Sequence, residues 1–585
     1  MYIENVKSPK DIKSLGIEQL NTLSKEIRKA LIVRLSKCGG HVGPNLGMVE
    51  ATIAMHYVFN SPIDKIVFDV SHQCYTHKML TGRAEAYLDL THYGDVSGYT
   101  NPEESEHDFF NIGHTSTSVS LACGLAKARD LKGETGNIIA VIGDGSLSGG
   151  EAFEGLSNAG TLNSNMIIVV NDNEMSIAEN HGGLYENLAQ LRQTNGTTEC
   201  NFFKSLSLDY RFLADGNNIS ELIKIFHEVK DCSKPTVVHI CTQKGKGLSY
   251  AEENREKYHF SGPFDIATGK GKHDNSEVEN YNTITGKIVI ETAANNPRFV
   301  AITSGTPGVF GLNSSQRQAL GSQFIDVGIA EEHAVAVASG LASAGCRPLW
   351  AVYSSFIQRT YDQMSQDLCI NNNPAVICVF AASVYGMNDV THLGIFDIPL
   401  LGNIPNLVYL APTCKEEYIA MLNWAVDQQK HPVAIRVPAH VTASDVLFTD
   451  NDYSNLNRYQ KVETGERIAI IALGSFYSLG RKTAVEIERR TGIHPTLINP
   501  RYISGLDSNM LNEIKSSHDI IVTLEDGILD GGFGEKIARF YGNSNIRTLC
   551  YGIRKEFIDR YNVNELLKEN RLTPEQITED IEQLL

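Results

Sequence analysis

Residues 137–173 read NIIAVIGDGSLSGGEAFEGLSNAGTLNSNMIIVVNDN, and the order of that stretch decides the fold. Two apolar, β-branched runs, NIIAVI at 137–142 and MIIVV at 166–170, flank a segment of helix length. That is the pattern of buried parallel strands joined by a crossover. Each run ends in oxygen-bearing residues, Gly143-Asp144-Gly145 after the first and Asn171-Asp172-Asn173 after the second. Ligands of open α/β sheets sit at the carboxyl ends of strands, and glycines there let backbone approach a ligand closely. Asp144 offers a hard carboxylate oxygen and Asn173, 173 − 144 = 29 residues on, an amide oxygen. Completed by a carbonyl and by diphosphate oxygens, this set suits octahedral Mg²⁺. A G-D-G alone is a turn in most sequences. The second oxygen-rich strand end, one β-α-β step later, makes it a metal site.

The same alternation continues outward. TVVHI at 236–240 reads as another strand of a first α/β domain, residues 1–270, and the polar segment 259–282 reads as a linker. Strands at 298–303, 349–353 and 375–380, with a helix over 330–344, make a second α/β domain, residues 280–448. After the polar stretch 450–457 (DNDYSNLN), RIAIIALG at 467–474, a helix over 479–490 and DIIVTLEDG at 519–527 make a third, residues 458–585. The fold class is three α/β domains with mostly parallel sheets. A chain of 585 residues with 42% hydrophobic and 21% charged residues can bury such cores.

A net charge of −18 argues against a nucleic-acid partner. No apolar run of bilayer length occurs, and the first twenty residues lack the apolar stretch and cleavage site of a secretory signal, so a cytoplasmic protein with no membrane partner is expected. Eleven cysteines without a C-x-x-C pair indicate neither a zinc ribbon nor a disulfide framework.

G-D-G with Asn about 30 residues on resembles the fingerprint of thiamine-diphosphate enzymes. The motifs GGHVGPNLG, FDVSHQCYTHKMLTGR, GHTSTSVS, NDNEMSIA, DVGIAEEHA and YSSFIQRTYDQ narrow the likeness. Over nearly its whole length the chain resembles the 1-deoxy-D-xylulose-5-phosphate synthase family, with a transketolase-like fold. The resemblance implies a homodimer that uses thiamine diphosphate and Mg²⁺ to decarboxylate pyruvate and join the two-carbon unit to glyceraldehyde 3-phosphate, feeding isoprenoid, thiamine or pyridoxal synthesis. By the same resemblance Asp144, Asn173 and the Met175 carbonyl hold the metal. His72, the Gly113-His114-Thr115 turn and Gly145-Ser146 contact the diphosphate and thiazolium. Glu331 bonds the aminopyrimidine N1′, where cofactor activation needs a proton relay, and Phe356 stacks on the pyrimidine. His41, His392 and Arg359 complete the expected catalytic set. Alone, each of these side chains has an ordinary structural reading, and only alignment separates Glu331 from Glu332.

The acceptor side departs from the family. Ala381 and Ala439 stand where relatives carry arginines that grip the acceptor phosphate. Asn388 stands at a family aspartate with Asp389 displaced by one, and Leu248 replaces a cofactor-contacting tyrosine, with Tyr250 two residues later. Each charge-assisted bond to phosphate contributes roughly 1.5–3 kcal/mol, so losing both would cost several powers of ten in affinity. Arg501 and His440 are candidates for a replacement anion site that would keep the phosphorylated acceptor; two further readings are a sister carboligase that joins pyruvate or a similar 2-oxo acid to a different aldehyde, phosphorylated or not, and an inactive cofactor-binding regulatory paralogue. Intact Asp144, Asn173 and Glu331 weigh against the last.

Overall fold

The computed structural model describes residues 2–272, 279–438, 440–441 and 450–585. The chain divides into two compact units, Met1–Glu277 with Gly328–Ala330, and Val278–Val327 with Glu331–Leu585.

The first unit is built on a sheet of β1 (Lys65–Phe68), β2 (Ile138–Gly143), β3 (Ile167–Asp172), β4 (Asp209–Leu213) and β5 (Thr236–Cys241). Its order is β1-β2-β3-β5-β4 and every pairing is parallel. Alternate residues enter different cores: Ile139, Val141, Ile167 and Val169 pack on one face, and Ile138, Ala140, Ile142, Ile168 and Val170 on the other. Burial on both faces is why these strands read as continuous apolar runs. The register pairs Gly143 with Asn171, so the two oxygen-rich strand ends lie side by side.

The second unit holds two sheets. One contains β6 (Phe299–Thr303), β7 (Phe324–Asp326), β8 (Arg347–Tyr353), β9 (Val376–Phe380), β10 (Val408–Leu410) and β11 (Val433–Arg436), in the order β10-β11-β9-β8-β6-β7. The other contains β12 (Gln460–Glu463), β13 (Arg467–Ala472), β14 (Thr496–Asn499), β15 (His518–Ile528) and β16 (Arg547–Ile553), in the order β12-β14-β13-β15-β16. Only the β12–β14 pairing is antiparallel among these strands. Val300, Ile302, Trp350 and Ile377 of one sheet share a core with Ala469, Ile471, Ile498 and Ile521 of the other.

Two expectations change. The segment 259–282 is not a plain connector, because its first part folds back on the first unit: Gly40 and Ser261 exchange backbone bonds of 2.8 and 3.0 Å, and Gly43 N–H donates to Tyr258 O at 2.7 Å. The third sheet also has a strand ahead of the 467–474 run, β12, whose half-buried QKVE lacks the apolar run that marks an interior strand.

Within the second unit a buried ion network ties β11 to β15. Arg436 Nε donates to Asp397 Oδ2 at 2.7 Å, its guanidinium pairs with Asp526, and Tyr409 OH donates to Asp397 Oδ2 at 2.5 Å. All four side chains are buried. Removing one member of such a network strands charge in a low-dielectric interior. Arg436→Met should therefore destabilise the second unit by about 3–5 kcal/mol, read as a lowered unfolding midpoint in urea; an unchanged midpoint would show that the network carries little stability.

Candidate active site

In the first unit, Asp144 follows β2 and its N–H donates to Asn171 O at 3.0 Å. Its carboxyl is buried, accepts from Asn180 Nδ2 at 2.8 Å, and is pushed up to about 7 by burial and by the neighbouring Asp172. Asp172 is opposed by the same burial, yet His239 at 2.9 Å and Arg192 at 2.6 Å hold it below the usual carboxylate range. Asp172 is thus a structural charge, and Asp144 is the acid short of positive charge. The Asn173 Oδ1 atom is buried with no hydrogen-bond partner among the described residues. A buried carboxylate and an orphaned amide oxygen on adjacent strand ends fit a divalent cation that completes both.

The glycines have separate reasons. A Cβ on Gly143 would meet nothing within 4 Å, which leaves room for a ligand. A Cβ on Gly145 would lie 2.6 Å from Ser176 Oγ, so this glycine admits the protein's own 173–176 loop. Glu174, at φ 63°, turns that loop, and Met175 bridges Glu179. A Cβ on Gly149 would sit 2.1 Å from Ser116 Oγ, which donates to Ser146 O at 2.8 Å. That bond ties the Gly113-His114-Thr115 turn to Gly145-Ser146. Asp69, buried at the end of β1, accepts the N–H groups of Ser116 at 2.8 Å and Ser118 at 3.0 Å and so fixes the turn at the start of helix Ser118–Lys132.

His41 and His72 are brought together, with ring centroids 4.8 Å apart. Asn45 Nδ2 donates to both of their carbonyl oxygens at 2.7 Å. His259 joins them at 5.6 and 5.3 Å, and its imidazole is held well below its ordinary value by burial and by Lys244, His72 and His41. Lys244 is buried, donates to Ser176 O at 2.5 Å, lies 3.1 Å from His259 Nδ1, and is lowered to about 8 by burial. Asn45, Asp69, Asn180, Lys244 and His259 were not among the residues expected at the site. GGHVGPNLG contained Asn45, but nothing in the sequence paired Lys244 or His259 with residues 41 and 72. Leu248 is buried, while Tyr250 OH lies 2.8 Å from Ile266 O and 2.9 Å from Ala267 O, which share its one hydrogen.

In the second unit Glu331 begins helix Glu331–Ser343. It is buried whereas Glu332 is half-buried, which separates the two on physical grounds. Burial pushes the Glu331 carboxyl up to about 7, against the pull of Arg359, whose Nη1 is 3.9 Å from Oε2. Oε2 has no hydrogen-bond partner among the described residues, the condition expected of a carboxyl that waits for a ligand donor. Arg359 shares the 3₁₀ turn Phe356–Thr360 with Phe356, and the Phe356 ring meets that of His392 edge-on at 5.6 Å. Glu331, Arg359, Phe356 and His392 are therefore linked neighbours within one unit.

The acceptor-side residues are spread out. Ala381 sits at φ 54°, with Gly386 and Gly394 packed on its carbonyl so closely that a Cβ on either would clash. Ala439 lies outside the described residues. Arg501 is buried, donates from Nη1 to Asp450 at 2.7 Å and lies 3.5 Å from Glu417, so two carboxylates already balance its charge even though Nε has no hydrogen-bond partner among the described residues. His440 is exposed, 5.4 Å from the ring of Tyr385.

Residues 3–201 and 194–242 match the family model described as 1-deoxy-D-xylulose-5-phosphate synthase. Residues 279–442 match the transketolase pyrimidine binding domain and residues 458–577 the transketolase C-terminal domain. The chain is 38% identical to the 1-deoxy-D-xylulose-5-phosphate synthase of Caldanaerobacter subterraneus subsp. tengcongensis, over 99% of this chain and 98% of that one. It is 36% identical to that of Clostridium tetani, over 100% and 99%. Among solved structures it is similar to a transketolase from Campylobacter jejuni subsp. jejuni, at 16% identity over 97% of this chain and 100% of that one, TM-score 0.45.

The raised Glu331 value has a signed consequence. Between its ordinary value of 4.5 and about 7 the folded protein keeps a proton that the unfolded chain has lost, so this group makes stability fall as pH rises across that window. Glu331→Gln should flatten the decline and stabilise the ligand-free protein at pH 8 by about 2–3 kcal/mol. Thermal midpoints measured from pH 4 to 8 check this, and parallel curves for wild type and variant would refute it.

Proposed function

The chain belongs to the 1-deoxy-D-xylulose-5-phosphate synthase family, and from that we propose that it condenses pyruvate with glyceraldehyde 3-phosphate, releasing CO₂ and giving 1-deoxy-D-xylulose 5-phosphate. The product serves isoprenoid biosynthesis. Thiamine diphosphate supplies the carbon acid that adds to pyruvate and holds the electrons left by decarboxylation. The observation that carries the reading is the Glu331 carboxyl, buried at a helix start with Oε2 unpartnered among the described residues and a value near neutrality.

Asp144, Asn173 Oδ1 and the Met175 carbonyl would hold Mg²⁺, and the 113–115 turn with Gly145-Ser146 would bind the diphosphate. Glu331 would exchange a proton with the aminopyrimidine when the cofactor is bound, and a value near neutrality lets it give and take that proton at little cost. Phe356 supplies an apolar face for the ring. Arg359 balances the Glu331 charge and is placed to attract an anionic substrate group. His392 stands ready to protonate the oxygen that becomes negative when the acceptor carbonyl is attacked. His41 and His72, packed with His259 and Lys244, line the first unit's cluster, where donors to phosphate or carboxylate oxygens are needed. Small-molecule substrates and a homodimeric assembly complete the reading.

A second reading has a specific observation behind it. Ala381 has no cationic side chain and Arg501 is already neutralised. A sister carboligase that hands the same two-carbon unit to an unphosphorylated aldehyde fits those facts.

With pyruvate fixed, kcat/KM for glyceraldehyde 3-phosphate should exceed that for glyceraldehyde; the reverse order would replace the first reading by the second. Asp144→Ala should weaken Mg²⁺-dependent thiamine diphosphate binding by calorimetry. Glu331→Gln should bind the cofactor normally and lose turnover by about 10²–10⁴-fold, whereas wild-type turnover in that variant would remove Glu331 from the chemistry.

A further inference from the structure

The loop that carries His392 is held from outside its own sheet. Residues 381–394 leave the carboxyl end of β9, and the segment after β16 grips them with four hydrogen bonds. Val390 N–H donates to Asp559 Oδ1 at 3.1 Å and Arg560 N–H to Asn388 O at 2.6 Å. Asn388 Nδ2 donates to Tyr561 O at 3.3 Å and Tyr561 OH to Val384 O at 2.9 Å. Phe557 packs on Phe396 with centroids 5.8 Å apart.

Inside the loop the hydrogen atoms can be counted. Asp389 Oδ1 accepts from Thr391 N at 3.0 Å and from Thr391 Oγ1 at 2.5 Å. His392 Nδ1 lies 2.8 Å from Thr391 Oγ1 and 3.2 Å from Asp389 Oδ1. A hydroxyl has one hydrogen, and an ionised carboxylate can only accept. Thr391 gives its hydrogen to Asp389, so the bond to Nδ1 requires the imidazole to be the donor. Although burial opposes it, the bonds from His392 and Thr391 keep Asp389 below its ordinary value and therefore ionised. The charged group at the ring is Asp389 in its own loop; on the neighbouring elements stand Arg359, on the turn that presents Phe356, with Glu331 3.9 Å from it, and the Asp559–Arg560 pair that bonds the loop backbone.

Resting on the carboligase reading above, we propose that Asp389 and Thr391 are positioning residues that fix the His392 proton on Nδ1, and that Asp559, Arg560 and Tyr561 hold the loop so that Nε2 serves the acceptor. When the new carbon–carbon bond places negative charge on the former carbonyl oxygen, the Nε2–H bond of the imidazolium breaks and an O–H bond forms. The ring is left neutral with its proton on Nδ1, and the one solvent proton that the decarboxylating condensation consumes per turnover returns to Nε2.

The test uses the full chain with Mg²⁺ and thiamine diphosphate. Thr391→Val should lower kcat with the aldehyde by about 10–100-fold and displace the histidine limb of the pH–rate profile, and Thr391→Ser should restore both. Asp559→Ala and Tyr561→Phe should raise the acceptor KM several-fold with the pyruvate KM unchanged, and Asp559→Asn, which keeps an acceptor oxygen for Val390, should recover it. A wild-type pH profile in Thr391→Val, or losses at Asp559 that fall equally on both KM values, overturns the proposal. The tautomer is also read directly by ¹⁵N NMR of the labelled imidazole: Nε2–H in the neutral ring overturns the proposal whatever the activity. Absence of pyruvate-dependent CO₂ release from the wild type would instead sink the carboligase reading.

Discussion

The arrangement depends on burying two carboxyl groups, Asp144 beside the unpartnered Asn173 Oδ1 and Glu331 with its own Oε2 unpartnered among the described residues. Taking an ionised carboxylate out of water is costly, and both groups respond by rising to about 7. Such a state persists only where the surrounding fold is rigid and close-packed. In the first unit that rigidity comes from serine side chains packed directly on glycine backbone: Gly145 admits Ser176 of the 173–176 loop and Gly149 admits Ser116. In the second, Glu331 opens the helix Glu331–Ser343, where the aligned peptide dipoles offset part of the cost that burial puts on its charge.

A raised value alone does not mark a working acid. Glu525 rises to about 8 by burial, yet its two oxygens accept the N–H groups of Phe533 and Gly534 at 2.8 and 2.7 Å, capping a helix. Glu417 is also raised by burial, and its oxygens are consumed by Thr413, Asn499 and Arg501. Asp172 is paired twice. The site acids differ in what is left over beside them: Glu331 keeps an oxygen unbonded among the described residues, and Asp144 stands beside the orphaned Asn173 Oδ1. Other buried atoms of the described residues lack partners too, Asp526 Oδ2 and Arg501 Nε among them, so an open oxygen points to a ligand only where it coincides with an acid raised toward neutrality at a strand or helix end.

The acceptor side follows another logic. Its cations are absorbed by the protein itself, Arg436 by Asp397 and Asp526, and Arg501 by Glu417 and Asp450. What the 381–394 loop presents is a histidine whose orientation is set by a carboxylate, a hydroxyl and a strap from the C-terminal segment.

Much of this was legible in the residues. Strands buried on both faces have to be apolar throughout, so β2, β3, β5 and β13 announce themselves. The crossover length between β2 and β3 places Asp144 and Asn173 on adjacent strand ends, because a parallel pairing of neighbours leaves little choice of register. Edge strands such as β12 are half-exposed and carry no such signal. Three things came only from tertiary structure: the pairing of Lys244 and His259 with His41 and His72, the balancing of Arg501 by two carboxylates, and the strap on the His392 loop. Each joins segments distant in the chain through side chains whose identity says nothing of their partner. Sequence determines which residues must be buried and which oxygen atoms stand at strand ends, since periodicity and chain connectivity impose both. Only the folded structure decides which buried polar groups are satisfied and which remain open to a ligand, because that depends on hydrogen-bond geometry across the whole core.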